Sequence, residues 1–287
     1  IMKSIHQQTA KQLQQKTKGL IARLLKDKEP DFLRQHTRLL DDYFRQAFET
    51  SMVGPRMDIR KNPYAIIAQG GYGREEQCIH SDVDLLFLFK KKVPKEAENL
   101  VQEIIYPLWD IGLDVGYATR SLKECLALAG KDYDILTPML DARFVCGWSM
   151  LYANLVAELR SKILKHKSRP IIDWLVERNS QRHAQFGDSA YLLEPNLKEG
   201  QGGLRDYHTM LWIARIAFNA KQFRDLEYFG LLSHEEFQNL IQSLTFVWNV
   251  RNRIHYICGR KCDQLHFENQ VKLARSLNYK TGNGQAP

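Results

Sequence analysis

Apolar residues recur at three- and four-residue steps through residues 3–50, which is the period of an amphipathic helix. Pro30 lacks the backbone donor that a helix interior needs, so two helices are predicted here rather than one. A turn-like run follows at residues 54–63. The apolar positions of the two helices are Leu13, Leu20, Leu24, Leu25, Phe32, Leu39, Leu40, Tyr43 and Phe44.

The next part of the chain changes to short apolar runs. Residues 64–69 and 83–89 predict two strands, and the second run is apolar enough to be central in its sheet. Residues 113–119 alternate between apolar and polar positions and predict a third strand, and residues 142–146 a fourth. Helical periodicity over residues 96–111 predicts the helix between the second and third strands.

The rest of the chain has helical periodicity almost throughout, apart from a non-helical segment at residues 192–203. The pattern predicts an α+β fold in three parts. An N-terminal helical segment (1–60) precedes a domain with a small mixed sheet and flanking helices (61–147), and an all-helical domain follows (148–287). The helices predicted in the last part are 149–166, 170–186, 204–219, 234–258 and 265–277.

The composition is that of a folded, soluble protein: 44% of the 287 residues are hydrophobic and 26% are charged. No apolar stretch approaches the roughly 20 residues that a membrane span needs. The N-terminus lacks the apolar core of a secretory signal, and five scattered cysteines predict reduced thiols. We therefore expect a cytoplasmic protein and exclude a collagen, a membrane protein, a disulfide scaffold and a secreted factor.

The distribution of charge along the chain gives a first indication of where a binding site lies. The net charge is +5 over residues 1–60, −3 over residues 61–147 and +6 over residues 148–287. An acidic middle part between basic flanks suits a carboxylate site that recruits cations, with phosphates held from the sides. The same distribution is also typical of ordinary solvated helix faces.

The candidate chemistry is concentrated between the first two predicted strands. The first strand leads into a turn that begins at Gly70 and Gly71, and Ser81 then precedes Asp82 and Asp84 at the start of the second strand. Side chains at i and i+2 of a strand point to the same side, so the two carboxylates converge. We expect Mg²⁺, with Mn²⁺ as the alternative, between them and the oxygens of a triphosphate. The glycines allow backbone N–H groups to approach the phosphates, and Ser81 adds a hydroxyl.

A two-metal clamp needs a third carboxylate, and Asp114 is placed to supply it. We expect Asp114 within the third strand, flanked by apolar residues, where a buried acid needs a partner. In-line displacement at a nucleoside α-phosphate uses such a clamp on the attacking hydroxyl and the leaving pyrophosphate. Other glycine-loop motifs do not fit: the Walker pattern is absent, and the third glycine of a dinucleotide fingerprint is replaced by Glu76.

Five segments carry a resemblance to a known family. The segments Gly70–Glu76 (GGYGREE), Ser81–Leu86 (SDVDLL) and Trp109–Ser121 resemble the nucleotidyltransferase part of the bifunctional PII-protein uridylyltransferase/uridylyl-removing enzymes. Glu194–Thr209 (EPNLKEGQGGLRDYHT) and His255–Phe267 resemble the same family further along the chain. The resemblance runs from about residue 64 to about residue 279. It implies a fold of the polymerase-β nucleotidyltransferase type, with a nucleotidyltransferase catalytic domain at 61–147 and a helical substrate- or nucleotide-binding domain at 148–287.

The resemblance implies transfer of UMP from UTP to a tyrosine hydroxyl of PII, the nitrogen-signalling protein. It assigns Asp82, Asp84 and Asp114 to catalysis and metal binding. The residues expected to bind the nucleotide are Gly70, Gly71, Arg74, Ser81, Lys198 and Arg205. For the last two, residues 200–203 open a helix whose free N–H groups are expected to face an anion, with both cations reinforcing them.

The sequence departs from the family pattern at two positions and lacks one motif. Glu75 stands where a small residue is usual, and Gln201 where a proline is usual. The family's hydrolytic domain carries a His-Asp metal pair, and no His-Asp dipeptide occurs in the chain. We therefore expect a fragment without the C-terminal hydrolase and sensing domains, which adds UMP to PII but does not remove it.

Two other classes of function stay open. One is a regulatory module that senses a nucleotide without turnover, and the other is a nucleotidyltransferase that acts on another protein or on RNA. The basic last part favours phosphate contacts, but interleaved aromatic and basic patches are missing, so nucleic acid is the less favoured acceptor. His255, Cys258, Cys262 and His266 have spacings that would suit zinc, but Gly259 interrupts the helix, and packing is the favoured interpretation.

Overall fold

The computed structural model describes residues 2–54, 61–187 and 192–279, with side chains from residue 5 onward. Most of the turn-like run at 54–63 and the chain's last residues lie outside the described residues. The chain divides into two compact units, the first ending at His166 and the second beginning at Lys167. This division comes later than the boundary expected at residue 147.

The first unit contains a four-stranded sheet with helices before, between and after its strands. The strands are β1 (Tyr64–Gln69), β2 (Val83–Phe89), β3 (Val115–Ser121) and β4 (Arg143–Gly147). The helices are α1 (Met2–Leu24), α2 (Phe32–Thr50), α3 (Gly70–Gly73), α4 (Ala97–Asp110), α5 (Leu122–Ala129), α6 (Tyr133–Leu140) and α7 (Ser149–Glu158), and a π-helical segment follows at Leu159–Leu164.

The strand order is β3-β2-β1-β4, with β2 parallel to β3 and the other neighbours antiparallel. A parallel pair needs a crossover connection, and α4 provides it between β2 and β3. The expected α+β class with a small mixed sheet is therefore confirmed, and so is the central place of β2.

One face of this sheet packs against the N-terminal helices and α4, and residues of the other face, such as Leu86 and Leu88, are buried as well. The alternate residues Val83, Leu85, Phe87 and Phe89 of β2 are buried against apolar residues of α1, α2 and α4. Each strand residue of this set points to the same face because the side-chain period of a strand is two. The N-terminal helices thus share one core with the sheet.

The second unit is all-helical in the part that the structure describes. Its helices are α8 (Lys165–Phe186), which is kinked at Lys167, α9 (Leu204–Phe218), α10 (Asp225–Tyr228), α11 (His234–Cys258) and α12 (Phe267–Ser276). Ser233 starts α11 with a capping box to Glu236, and Asn219 ends α9 in the left-handed conformation. Apolar residues of α9, α10 and α11 form its core.

Most of the predicted elements are present, with shifted ends. The strands at 64–69 and 83–89 are confirmed to the residue. The third strand begins at Val115 rather than at residue 113, and the helices at 122–129 and 133–140 were not predicted. None of the five cysteines, all of which lie in the described ranges, forms a disulfide. In the described part of the chain, no helix is both long and apolar enough to cross a membrane.

Candidate active site

Asp84 lies beside the glycine turn because of the register between β1 and β2. Asp84 pairs with Gln69, the last residue of β1, and the chain turns at once into α3. Gly70 has a φ of +53°, and a Cβ built there would lie 3.0 Å from Oδ2 of Asp84. Only glycine combines this left-handed backbone with space for the carboxylate. The turn is therefore fitted to the side chain of Asp84.

A second glycine borders the same carboxylate from the other neighbouring strand. Asp84 pairs with Gly116 of β3, and a Cβ on Gly116 would lie 3.1 Å from Oδ1 of Asp84. The Asp84 carboxylate is thus held between two positions that carry no side chain. The sequence analysis did not single out Gly116, although the glycine lies in the segment that resembles the family.

Asp82 and Asp114 lie at matching positions just before β2 and β3. The N–H of Val83 donates to the carbonyl oxygen of Asp114 at 2.9 Å, and Val83 pairs with Val115. Both valines are buried on the core face, so the aspartates that precede them belong to the opposite face, with Asp84. The sequence predicted a shared side for Asp82 and Asp84, and the register places Asp114 toward the same face; a common metal site for the three stays a prediction.

Asp114 differs from its expected surroundings. It precedes β3 rather than lying within it, and it is exposed rather than buried. The expectation of a buried acid is wrong because Val115 and, in part, Leu113 pack into the core, while Asp114 between them is exposed. The exposed carboxylate of Asp114 is accessible to a ligand.

A buried glutamine fixes the backbone of the segment that carries Ser81 and Asp82. The side-chain amide of Gln77, which is 1% exposed, donates to the carbonyl oxygens of Ser81 at 2.7 Å and Asp82 at 3.3 Å. The backbone carbonyl oxygen of Gln77 in turn lies 3.1 Å from Nδ1 of His36 on α2. Burial lowers the pKa of His36 to about 4, so the imidazole is neutral at pH 7. Neither residue was identified from the sequence.

Arg74 is engaged by two carboxylates. Its guanidinium donates to Glu76 at 2.7 Å and to Asp141, which follows α6. Burial opposes the charge of Arg74, but Asp141 and Glu76 outweigh it and raise the pKa of the guanidinium. These contacts tie the glycine turn to the α6–β4 connection. The nucleotide-binding role expected for Arg74 stays a prediction.

Tyr72 joins the turn to α2 and β4. Its hydroxyl donates to Asp41 at 2.6 Å, and Arg143 donates to both oxygens of Asp41 at 2.7 and 3.0 Å. Arg143 also donates to the carbonyl oxygen of Tyr72 at 3.2 Å. Burial, followed by the charge of Asp41, raises the pKa of Tyr72 well above its usual value. The hydrogen bonds among Tyr72, Asp41 and Arg143 thus connect the glycine turn to α2 and β4.

The donor set fits a hard divalent cation in its chemistry. Such ions prefer carboxylate oxygens together with substrate phosphates, and Asp82 and Asp84 offer carboxylates from one strand. Among the described residues, no three His, Cys, Asp or Glu side chains are arranged to hold a metal ion. The part of Asp114 as a third metal ligand therefore stays a prediction.

Lys198 and Arg205, the other candidates for nucleotide binding, lie in the second unit. Both approach Glu199, with Arg205 Nη2 at 3.2 Å and Lys198 Nζ at 3.8 Å from Oε1. Burial, and then the charges of Arg205 and Arg251, lower the pKa of Lys198. Lys198 and Arg205 therefore lie close together, and both are paired with the carboxylate of Glu199.

The free N–H groups expected at the start of α9 are not free. The amide of Leu204 donates to Leu197 O at 3.0 Å, and that of Arg205 to Lys198 O at 2.8 Å. The amide of Gly202 donates to the Asp206 carboxylate at 2.7 Å. That expectation is wrong because the loop folds back and its own carbonyls occupy the positions of an anion.

Buried ion pairs hold this loop in place. Arg182 of α8 donates to Asp206 and to the carbonyl oxygen of Glu199, and His183 lies 2.8 Å from Asp206. Asp263 pairs with Arg251 at 2.7 Å and with His255 at 3.1 Å, and its carbonyl accepts from the amide of Leu197. The two C-terminal segments that resemble the family are therefore joined in space.

Two families match the chain, one in each unit. The family described as putative nucleotidyltransferase DUF294 matches residues 11–119, and the family described as GlnD PII-uridylyltransferase matches residues 172–287. The strands β1 and β2 and the carboxylates of Asp82, Asp84 and Asp114 fall in the first match, and the loop with Lys198 and Arg205 falls in the second.

Several relatives are named bifunctional uridylyltransferase/uridylyl-removing enzyme. The protein from Rhodospirillum rubrum is 37% identical over 85% of the chain. Those from Cereibacter sphaeroides and Ruegeria pomeroyi are 40% and 38% identical over 77% of the chain. The chain belongs to this uridylyltransferase family.

Membership of the uridylyltransferase family confirms the resemblance seen in the five segments. The chain covers only 26%, 24% and 24% of the length of the three relatives, so it corresponds to about a quarter of such a protein. That quarter contains the sheet with Asp82, Asp84 and Asp114 and the helical unit with Lys198 and Arg205.

Proposed function

We propose that the chain transfers UMP from UTP to a tyrosine hydroxyl of the PII protein. The observation that supports this most is the Asp84 carboxylate between Gly70 and Gly116, on the sheet face that it shares with Asp82 and Asp114. In this reaction the tyrosine oxygen forms a bond to the α-phosphorus, and the bond from that phosphorus to the bridging oxygen of pyrophosphate breaks. The proton of the hydroxyl leaves to a carboxylate or to water.

Asp82 and Asp84 would hold a divalent cation, Mg²⁺ or Mn²⁺, that neutralises charge on the triphosphate. Gln77 keeps Asp82 in place through its backbone, and the two glycines leave room for Asp84. Asp114, as the exposed carboxylate, orients the tyrosine hydroxyl or accepts its proton.

The glycine turn of the first unit would bind the phosphates of the nucleotide. Gly70, Gly71 and Ser81 lie next to the carboxylates in the chain and would hold the β- and γ-phosphates. Lys198 and Arg205 supply two cations in the second unit, and their partial neutralisation by Glu199 leaves a net positive charge for an anion.

The test compares two substitutions of the same chemical kind. Wild type, Asp84→Asn and Asp42→Asn are incubated with PII, Mg²⁺ and α-labelled UTP, and labelled PII and pyrophosphate are measured. Asp42 lies on α2 with its side chain 66% exposed, so its substitution controls for loss of one charge. We expect at least about a hundredfold loss of rate for Asp84→Asn and none for Asp42→Asn.

Labelled ATP, CTP and GTP in parallel test the choice of base, and EDTA tests the need for a metal. Full turnover in Asp84→Asn would contradict the proposed site. Metal-dependent binding of UTP by wild type without release of pyrophosphate would instead indicate a sensing module.

A further inference from the structure

Among the residues that the structure describes, no strand pairs with the outer edge of β3. Along a strand, the N–H and C=O groups of successive residues point alternately to the two sides. Because the carbonyl of Asp114 bonds to Val83 of β2, the groups of Val115, Tyr117 and Thr119 point away from the sheet. Over the described ranges, the outward groups of Tyr117 and Thr119 have no hydrogen-bond partner.

The first outward carbonyl of this edge is closed by a side chain. Nε1 of Trp109, at the end of α4, donates to the carbonyl oxygen of Val115 at 3.2 Å. The indole therefore limits the open part of the edge to the residues after Gly116. The unprotected length is short but long enough for a few residues of an extended chain.

Three exposed aromatic rings line this edge on the core side of the sheet. The side chains of Tyr106, Trp109 and Tyr117 are each more than 40% exposed. The rings of Tyr106 and Trp109 stack at 5.1 Å between centroids, and Trp109 and Tyr117 lie 6.3 Å apart. An apolar patch of this kind, next to open strand hydrogen bonds, is typical of a surface that binds a peptide.

The two edges of the sheet are not alike. The strand β4 at the other edge has five residues, a shift of register against β1, and a contact from Cys146 to the carbonyl of Phe44 on α2. Short length and irregular pairing protect an edge from further strands. The seven residues of β3 pair with β2 in unbroken register and lack that irregularity.

The open edge leads directly to the carboxylates. Gly116 precedes Tyr117, is exposed, and presents no side chain between the edge and Asp84. In a strand added beside β3, alternate side chains would face the carboxylates, and those between them would face the aromatic rings. A tyrosine facing the carboxylates could then reach past Gly116 toward Asp84 and Asp114.

We propose that the outer edge of β3 binds the tyrosine-bearing segment of the acceptor protein as an added strand. Tyr117 and Thr119 supply its backbone hydrogen bonds, and the rings of Tyr106, Trp109 and Tyr117 pack against the residues flanking the reactive tyrosine. This inference rests on the proposed transfer to a protein tyrosine. It adds where that protein docks and what its segment looks like: extended, with apolar neighbours on both sides of the tyrosine.

The test removes one outward N–H while keeping the strand. Proline is tolerated at edge positions whose N–H faces outward, so Thr119→Pro deletes the donor, and Thr119→Ala is the control that keeps it. We expect the KM for PII to rise at least about tenfold in Thr119→Pro and to be unchanged in Thr119→Ala. The KM for UTP and the rate with N-acetyltyrosinamide, which needs no docking edge, stay the same in both. Thermal unfolding checks that both variants are folded.

Hydrogen exchange of the wild-type chain gives a second measurement that needs neither turnover nor a variant. Addition of PII is expected to slow exchange at the amides of Tyr117 and Thr119 and to leave those of β4 unchanged. An unchanged KM in a folded Thr119→Pro, or no protection of these two amides, would overturn the docking proposal. Protection without any transfer of UMP by wild type would keep the docking edge and contradict the proposed function instead.

Discussion

The two glycine turns of this chain look alike in sequence but are built for different reasons. In the first unit, Gly70 leaves space for the carboxylate of Asp84. In the second unit, Gly200 and Gly203 leave space for backbone: their built Cβ atoms would lie 2.7 Å from Asn196 O and 2.8 Å from Gly200 O. One turn makes room for a functional side chain, and the other makes room for its own loop.

The charged groups around the turns differ in the same way. Around the second turn, Arg182 with Asp206 and Arg251 with Asp263 pair within the scaffold. Near the first turn, Arg74 pairs with Asp141 behind the turn, while the exposed Asp114 faces outward. A glycine-rich segment therefore predicts a close contact. Only the residues around the segment show whether that contact is with a side chain or with backbone.

The largest effect is expected at Gly73, the one glycine of the first turn that approaches backbone most closely. Its built Cβ would collide with the carbonyl oxygen of Asp141, so Gly73→Ala should lower the free energy of unfolding by about 3 kcal/mol. Gly71→Ala is the control, because its nearest neighbours lie 3.9 Å away. Urea unfolding of the two variants measures the difference. Equal stability would remove the steric argument for this turn.

The stabilities of the two units are expected to respond to acid in different pH ranges. The pKa of His36 is about 4 in the folded state and about 6.5 unfolded, so the unfolded state binds more protons between these values. Stability near the first turn is then lost as pH falls from about 6.5 toward 4, by up to about 3 kcal/mol. The pKa values of Asp206 and Asp263 are lowered, so their stabilisation is present above the usual carboxylate pKa and is lost only at lower pH.

Hydrogen exchange as a function of pH follows the two units separately. Amides of the sheet are expected to lose protection at pH 5, while amides of α9 and α11 keep it. His36→Gln should flatten the response of the sheet between pH 6.5 and 4. A response of both units in the same pH range would show that these groups do not control it.

A smaller effect is expected at Gly116, where the approach is to a side chain. Gly116→Ala should displace the Asp84 carboxylate and lower the rate of transfer about tenfold, which corresponds to about 1.4 kcal/mol, with little change in stability. Gly19→Ala in α1, where nothing lies within 4 Å, is the matched control and should leave the rate unchanged. Loss of stability rather than rate would make Gly116 a scaffold glycine like Gly203.

The smallest effect concerns Glu75, which has a φ of +62° although it is not glycine. Glu75→Gly should raise the free energy of unfolding by up to about 1 kcal/mol, because a left-handed backbone strains a residue with a Cβ. Glu75→Ala removes the same charge but keeps the Cβ, so it should give no such gain. A gain in both variants, measured by urea unfolding, would assign the cost to charge instead.

Part of this site could be predicted from sequence because it depends on local spacing. The strands β1 and β2 and the shared face of Asp82 and Asp84 follow from period-two patterns and the residues between them. The family pattern at Glu75 expects a small residue, and the positive φ at that position gives the physical reason.

The rest depends on contacts between distant segments, which no local pattern reports. Gln77 and His36 act through buried hydrogen bonds, and Gly116 through a register partner on another strand. The sequence did not predict that the amides at the start of α9 donate hydrogen bonds to the preceding loop, because that loop has no regular hydrophobic pattern. Asp114 was expected to be buried because of its apolar neighbours, but Leu113 and Val115 pack toward the core and Asp114 between them is exposed.

The order of the strands has a consequence for how the site assembles. β1 and β2 pair antiparallel across a short connection, so Gly70 and Asp84 meet through contacts that are local in sequence. Gly116 and Asp114 join them only after α4 has crossed over and β3 has paired parallel to β2. Closing that longer loop costs more chain entropy before any contact forms. We therefore expect Asp82 and Asp84 to reach their places during folding before β3 adds Asp114 and the outer edge proposed to bind the acceptor.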